Sequence, residues 1–210
     1  MKITSSKIWL VTILSVFILS GCSPLISQNP SGQYTPVNAI AEGGDDRVLL
    51  NGADVVAYFV ENQYLPGKTE FSSQFENITF RFANAQHKAL FDQAPERYLP
   101  QFGGYCANGI VYGIPWGGDA DTWKIIDGKL YIFGGQGSKD AFELDQKQNL
   151  ALAETYWNDE IAGSNSFLQR VKRLIIRVPH YKTGEELMRA VAEAQSEKPV
   201  DTQAKPGASE

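Results

Sequence analysis

The chain has 210 residues, 19 of them Lys or Arg against 24 Asp or Glu, for a net charge of −5, and 43 % of it is hydrophobic. An acidic balance with only two cysteines excludes a nucleic-acid binder by charge and a disulfide-stapled scaffold. The length suits one globular domain with flanking segments.

Met1, Lys2 and Lys7 precede an apolar run from Ile8 to Leu19, followed by Leu19-Ser20-Gly21-Cys22. A basic start, a short apolar stretch and small residues before a cysteine make a secretory signal, and the run is too short to span a membrane. The pattern resembles that of bacterial lipoproteins, which implies that residues 1–21 are removed and that Cys22 is acylated as the mature N-terminus. Ser23 after it implies the outer membrane, on its periplasmic face. Removing residues 1–21 takes away two lysines and no acid, so the net charge of −5 becomes −7. With Cys22 carrying lipid, Cys106 has no partner in its own chain in an oxidising compartment. It is either a small buried apolar residue or a thiol kept for reactivity or metal affinity.

Residues 22–46, rich in Ser, Pro, Gly, Asn and Gln, read as a linker. From Arg47 strand signals dominate. Asn51-Gly52 between two apolar runs predicts a hairpin or tight turn. Alternation of Ile78, Phe80 and Phe82 with Thr79 and Arg81 predicts a strand with one buried face. Asn84 suits a helix N-cap, Leu90 and Phe91 close that short helix, and Pro95 opens another turn to Tyr98. Trp123 to Phe133 predicts a second hairpin, turning at Asp127-Gly128. Lys139 to Trp157 reads as helical with a break near Asn149. The expected domain, residues 47–158, is α+β, a small antiparallel sheet with short helices.

Several ordered stretches here resemble the bacterial YHS domain-containing proteins: Asp54-Val-Val-Ala-Tyr-Phe59, Phe82 to Phe91 around His87, Ala94 to Ala107 with Gly103-Gly104-Tyr105-Cys106, and Asp127-Gly-Lys-Leu-Tyr131. The resemblance implies a small α+β domain with metal binding as the usual suggestion. Short YHS modules carry thiols where this chain has Ala57, Ala83 and His87, which removes much of the soft-metal argument. The longer secreted branch matches at Cys106 and has selenocysteine-containing relatives, which implies redox chemistry there.

Cys106 and His87 are the candidate metal or redox residues. Flanking glycines allow close backbone approach to the thiol, and a nearby imidazolium would raise its thiolate fraction. A Cys–His pair supplies two of the four ligands that a soft or borderline ion such as copper or zinc takes, with Asp54, Asp119 or water completing the shell. The bland alternatives are a solvated His87, an inert Cys106, tight backbone packing at Gly103-Gly104 with Tyr105 in the core, and a core position for Trp123, with Trp116 open. No phosphate-cradling loop and no dinucleotide fingerprint is present. No nucleophile signature points to hydrolysis, so no catalytic residue is assigned.

Residues 159–195 read as a helical extension, and 196–210 as a disordered tail. Phe167, Leu168, Val171, Leu174, Ile175 and Val178 share one helical face, with Gln169, Arg170, Lys172, Arg173 and Arg177 on the rest. Thr183-Gly-Glu-Glu186 is a capping box for a second helix. The apolar face either packs on the domain or forms a basic amphipathic surface for anionic lipid or an acidic partner. The expected protein is a lipid-anchored envelope module that binds a ligand or metal at Cys106. A thiol-redox protein and a scaffold recruiting an envelope protein partner through these helices are the alternatives.

Overall fold

The computed structural model describes residues 37–42 and 45–197. The expected signal peptide, Cys22, most of the expected linker and the tail from residue 198 lie outside the described residues. The fold begins earlier than the expected boundary at Arg47. β1 (Ala39–Glu42) and β2 (Asp45–Leu49) pair antiparallel, and Val37 and Ala39 are fully buried. Residues that read as linker thus supply a strand, because their backbone finds partners that composition does not reveal.

The architecture is α+β, but its four-stranded sheet is mixed rather than antiparallel, in the order β1-β2-β4-β3. β3 (Lys68–Phe75) and β4 (Ile78–Phe82) form a hairpin, and β2 runs parallel to β4 through Val48 and Thr79. A parallel neighbour needs a crossover. It is made by the stretch where a hairpin at Asn51-Gly52 was one expectation. Asn51 and Gly52 do turn tightly with positive φ, yet the apolar run beyond them forms the short helix α1 (Ala57–Val60). The Asp54 carboxylate explains the helix: its Oδ1 accepts the Val56 and Ala57 amides at 2.9 and 3.3 Å. The strand at Ile78 to Phe82 is buried on both faces, not one. Its polar face is covered by backbone, since a Cβ on Gly67 would stand 2.4 Å from the Arg81 carbonyl carbon.

β5 (Asp119–Ile126) and β6 (Lys129–Phe133) form the expected second hairpin, turning at Asp127-Gly128. β6 divides the interior. Leu130 and Ile132 enter one core with Leu49, Tyr58, Phe80, Phe82 and Phe91. Tyr131 and Phe133 enter another with Phe102, Tyr105, Ile110, Phe142 and Ile161. Because side chains alternate along a strand, one five-residue segment serves both.

α2 (Ala85–Gln93) starts at the expected Asn84 cap and is followed by the turn Pro95–Tyr98. α3 (Ala107–Val111) follows the glycine-rich loop. The helical stretch beyond β6 splits into α4 (Gln136–Glu143) and α5 (Gln146–Tyr156). The break is at Leu144-Asp145 rather than near Asn149, because the Asp145 side chain caps α5 by accepting the Gln148 amide at 3.1 Å. Asn149 instead ties the two helices, donating to the Phe142 carbonyl. A wide helical turn (Trp157–Ile161) leads to α6 (Ser166–Ile175) and α7 (Gly184–Ser196), the latter with its capping box formed.

α6 packs by its polar face. Ser166, Gln169 and Arg173 are buried, whereas Leu168, Leu174, Ile175 and Ile176 are 65, 75, 77 and 61 % exposed. The expectation that the apolar stripe packs on the domain holds only for Val178, at 4 %. The partners are polar. Gln169 donates to the Gly113 carbonyl, and Arg170 to that of Pro115. Gln169, Lys172 and Arg173 all converge on one Glu160 oxygen. Gly113 makes this possible: its φ is +69°, and a Cβ there would stand 2.7 Å from Arg173 Nε.

Candidate functional site

Cys106 sits where the glycine-rich loop passes β6. Phe102, Gly103 and Gly104 all have positive φ, and a Cβ on Gly104 would press on Leu50 at 3.2 Å. This serves tight packing, and Tyr105 is core, fully buried. The loop then lays Cys106 beside Ile132 as a parallel bridge, with its amide donating to the Trp116 carbonyl. Cys106 is the N-cap of α3, its sulfur accepting the Gly109 amide at 3.4 Å. On its other side Sγ lies 3.0 Å from the Ser138 hydroxyl at the start of α4.

The residue is a free, buried cysteine, 4 % exposed. It nonetheless lines a cavity of about 320 Å³ shared with Asn108, Tyr112, Trp116, Ser138, Tyr181 and Lys182. The last two come from the segment between α6 and α7, so the C-terminal extension completes a wall that the expected domain of residues 47–158 lacks. Burial, and then the neighbouring Tyr181, push the Tyr112 phenol above its ordinary range, so it lines the cavity as a neutral hydrogen-bonding group.

His87 is elsewhere. Its Nδ1 lies 2.7 Å from Asp54 Oδ2 and its Nε2 3.0 Å from Glu61 Oε1. Asp54, itself fully buried, also accepts the Ala83 amide at 2.8 Å. It therefore joins α1, the end of β4 and the first turn of α2. This is a polar staple of the fold, and His87 is neither a solvated helix residue nor a lining residue of the Cys106 cavity.

The structure does not bring His87 and Cys106 together: among the described residues their hydrogen-bond partners differ, and His87 is outside the lining of the Cys106 cavity. Asp54 is committed to His87, and Asp119 is exposed at the start of β5, outside the cavity lining. Among the described residues no group of three or more His, Cys, Asp or Glu side chains is placed to hold a metal ion. The two carboxylates at His87 stand at opposite ends of its ring and do not converge on one point. Copper or zinc held by a Cys106–His87 pair with Asp54 or Asp119 therefore does not fit these residues, since either ion needs several donors on one centre.

Trp123 is partly buried against the first core, its ring 5.0 Å from that of Tyr58, whereas Trp116 is 54 % exposed. Sequence reasoning missed Ser138, Tyr112 and Tyr181 as lining of the Cys106 cavity. Ser138 and Tyr181 arrive from elements distant in sequence, which no spacing rule signals. No known protein family, curated protein or solved structure matches the chain. No helix of the described residues is long and apolar enough to cross a membrane.

Proposed function

We propose that the protein is an envelope lipoprotein, tethered by an acylated Cys22 to the periplasmic face of the outer membrane, whose YHS-like domain binds a small molecule over Cys106. The lipobox Leu19-Ser20-Gly21-Cys22 supports the tether. The observation that carries the binding reading is the cavity of about 320 Å³ on which Cys106 and Ser138 open together. Its size falls within the range of small-molecule sites. Aromatic walls from Tyr112, Trp116 and Tyr181, with Asn108, Ser138 and Lys182 as polar groups, suit a flat, partly apolar ligand bearing a polar or anionic end. The thiol contributes a soft contact to it.

The test is thiol labelling of the folded protein. Methyl methanethiolsulfonate, small enough for the cavity, is expected to modify Cys106 much faster than the chain unfolds, and a Ser138→Trp substitution should slow that reaction. Modification only at the rate of global unfolding would return Cys106 to inert packing. Cys106→Ser should fold normally because serine is a good N-cap, whereas Cys106→Val should cost about 0.5–2 kcal/mol through the lost cap.

A further inference from the structure

We infer that α6 lies on the surface of an anionic phospholipid bilayer, with the apolar face it turns away from the domain dipping into the lipid. The inference rests on the lipid-anchored reading above for the nearness of a membrane, and on four observations of its own.

α6 is docked by hydrogen bonds and ion pairs on its polar side, so its apolar side is left over: Phe167, Leu168, Val171, Leu174 and Ile175 are 37 to 77 % exposed. A helix that packs through polar groups and presents apolar ones outward has the polarity of an interfacial helix, not of a domain helix. Secondly, the exposed Trp116 continues this face. It lines an apolar groove with Val171, Leu174 and Tyr181, and indole is a side chain that favours the boundary between lipid and water.

Thirdly, the charge is of one sign. Between Ile161 and Gly184 the chain carries Arg170, Lys172, Arg173, Arg177 and Lys182 and no acid, within a protein of net charge −5. Lys172 and Arg173 are paired with Glu160, which leaves Arg177 and Lys182 as exposed cations beside the apolar face. Cations flanking an apolar face attract anionic headgroups. A second copy would oppose cation to cation. Neither of this chain's own ends matches the patch: residues 23–36 carry no charge, and residues 198–210 balance two lysines with two acids.

Fourthly, the described chain begins within two contacts of α6. Val37 is 15 residues after Cys22, a reach of at most ~50 Å. The Val37 carbonyl accepts from the Tyr105 hydroxyl at 3.1 Å, and the Arg170 guanidinium of α6 lies 6.0 Å from the Tyr105 ring. A tether of that reach lets the apolar face of α6 meet the membrane that would hold the anchor, and the second contact then adds to the first through a high effective concentration.

The experiment replaces Leu174 by benzoylphenylalanine in the full-length, lipidated chain. That position is 75 % exposed, so folding is spared. The protein is irradiated in phosphatidylcholine vesicles with and without phosphatidylglycerol, and in its own envelope. A phospholipid adduct at position 174 is expected, several-fold more abundant with phosphatidylglycerol, and reduced roughly 5-fold by Arg177→Gln. Absence of a lipid adduct in vesicles that carry the protein overturns the inference, as does an adduct to a second protein in the envelope. Mass spectrometry of the mature N-terminus reads the anchor separately. Absence of an acyl group on Cys22 overturns the anchor, and a lipid adduct at position 174 in the Cys22→Ser variant still supports the docking of α6.

Discussion

Asp54→Asn replaces one oxygen of a fully buried carboxylate by an NH₂ group of nearly the same shape, so what it changes is hydrogen bonding. The retained oxygen still accepts the Val56 and Ala57 amides, and α1 keeps its cap. The new NH₂ faces the Ala83 amide, which bonds Oδ2 at 2.8 Å, and His87 Nδ1 at 2.7 Å. A donor set against the Ala83 donor forfeits a charge-assisted bond worth about 1.5–3 kcal/mol. His87 Nδ1 loses its carboxylate partner as well, and the ring keeps only Glu61. Two lost hydrogen bonds to a buried carboxylate should together cost about 3–5 kcal/mol. Against a total stability of roughly 5–15 kcal/mol that is a large loss. It lowers Tm by roughly 6–20 °C for a domain of this size. Urea unfolding followed by tryptophan fluorescence measures it, and a double-mutant cycle with His87→Gln should return a coupling of about 0.5–3 kcal/mol. A loss under about 1 kcal/mol for Asp54→Asn, or additivity in the cycle, would refute the staple and reopen a ligand role for His87.

The docking of α6 should depend on pH through Glu160. Its burial alone would raise the carboxyl, but hydrogen bonds from Lys172, Gln169 and Arg173 outweigh it and hold the pKa below the ordinary glutamate value. A depressed folded-state pKa contributes stability that is fully present above the unfolded value and disappears as pH falls through the folded one. Amide-exchange protection in α6 should therefore hold at pH 5 to 7 and fall below about pH 4, and Glu160→Gln should abolish that dependence. A pH-independent α6 would show that Glu160 does not hold it. The apolar stripe should split: Leu174→Asp should change unfolding free energy by no more than about 0.5 kcal/mol. Val178→Asp, at the buried position, should cost at least about 1.5–3 kcal/mol. Equal costs would mean that the exposed face is packed after all.

Much of the local architecture was legible because it depends on neighbours in the chain. The Asp127-Gly128 turn, the Asn84 cap, the Thr183 and Glu186 capping box and the strand at Ile78 to Phe82 each follow from propensity and pairing within a few residues. The short helix at Ala57 was not legible. Val55 to Phe59 is as apolar as a strand, and only the fourfold commitment of the Asp54 carboxylate turns it into a helix.

The sequence by itself determined the lipobox pattern, the lone cysteine of the domain and the existence of an apolar stripe on α6. Tertiary structure decided what those features meet. Periodicity states that a helix has two faces and is silent on which one the rest of the protein takes. Here the Gly113 and Pro115 carbonyls and the Glu160 carboxylate took the polar face. Spacing likewise cannot tell that His87 is held between two carboxylates while Cys106 faces Ser138. Cys106 lies beside β6 at Ile132, whereas His87 is held by Asp54 ahead of α1. Contacts between residues distant in sequence depend on how the elements stack, and that information is spread over the whole chain rather than written at the site.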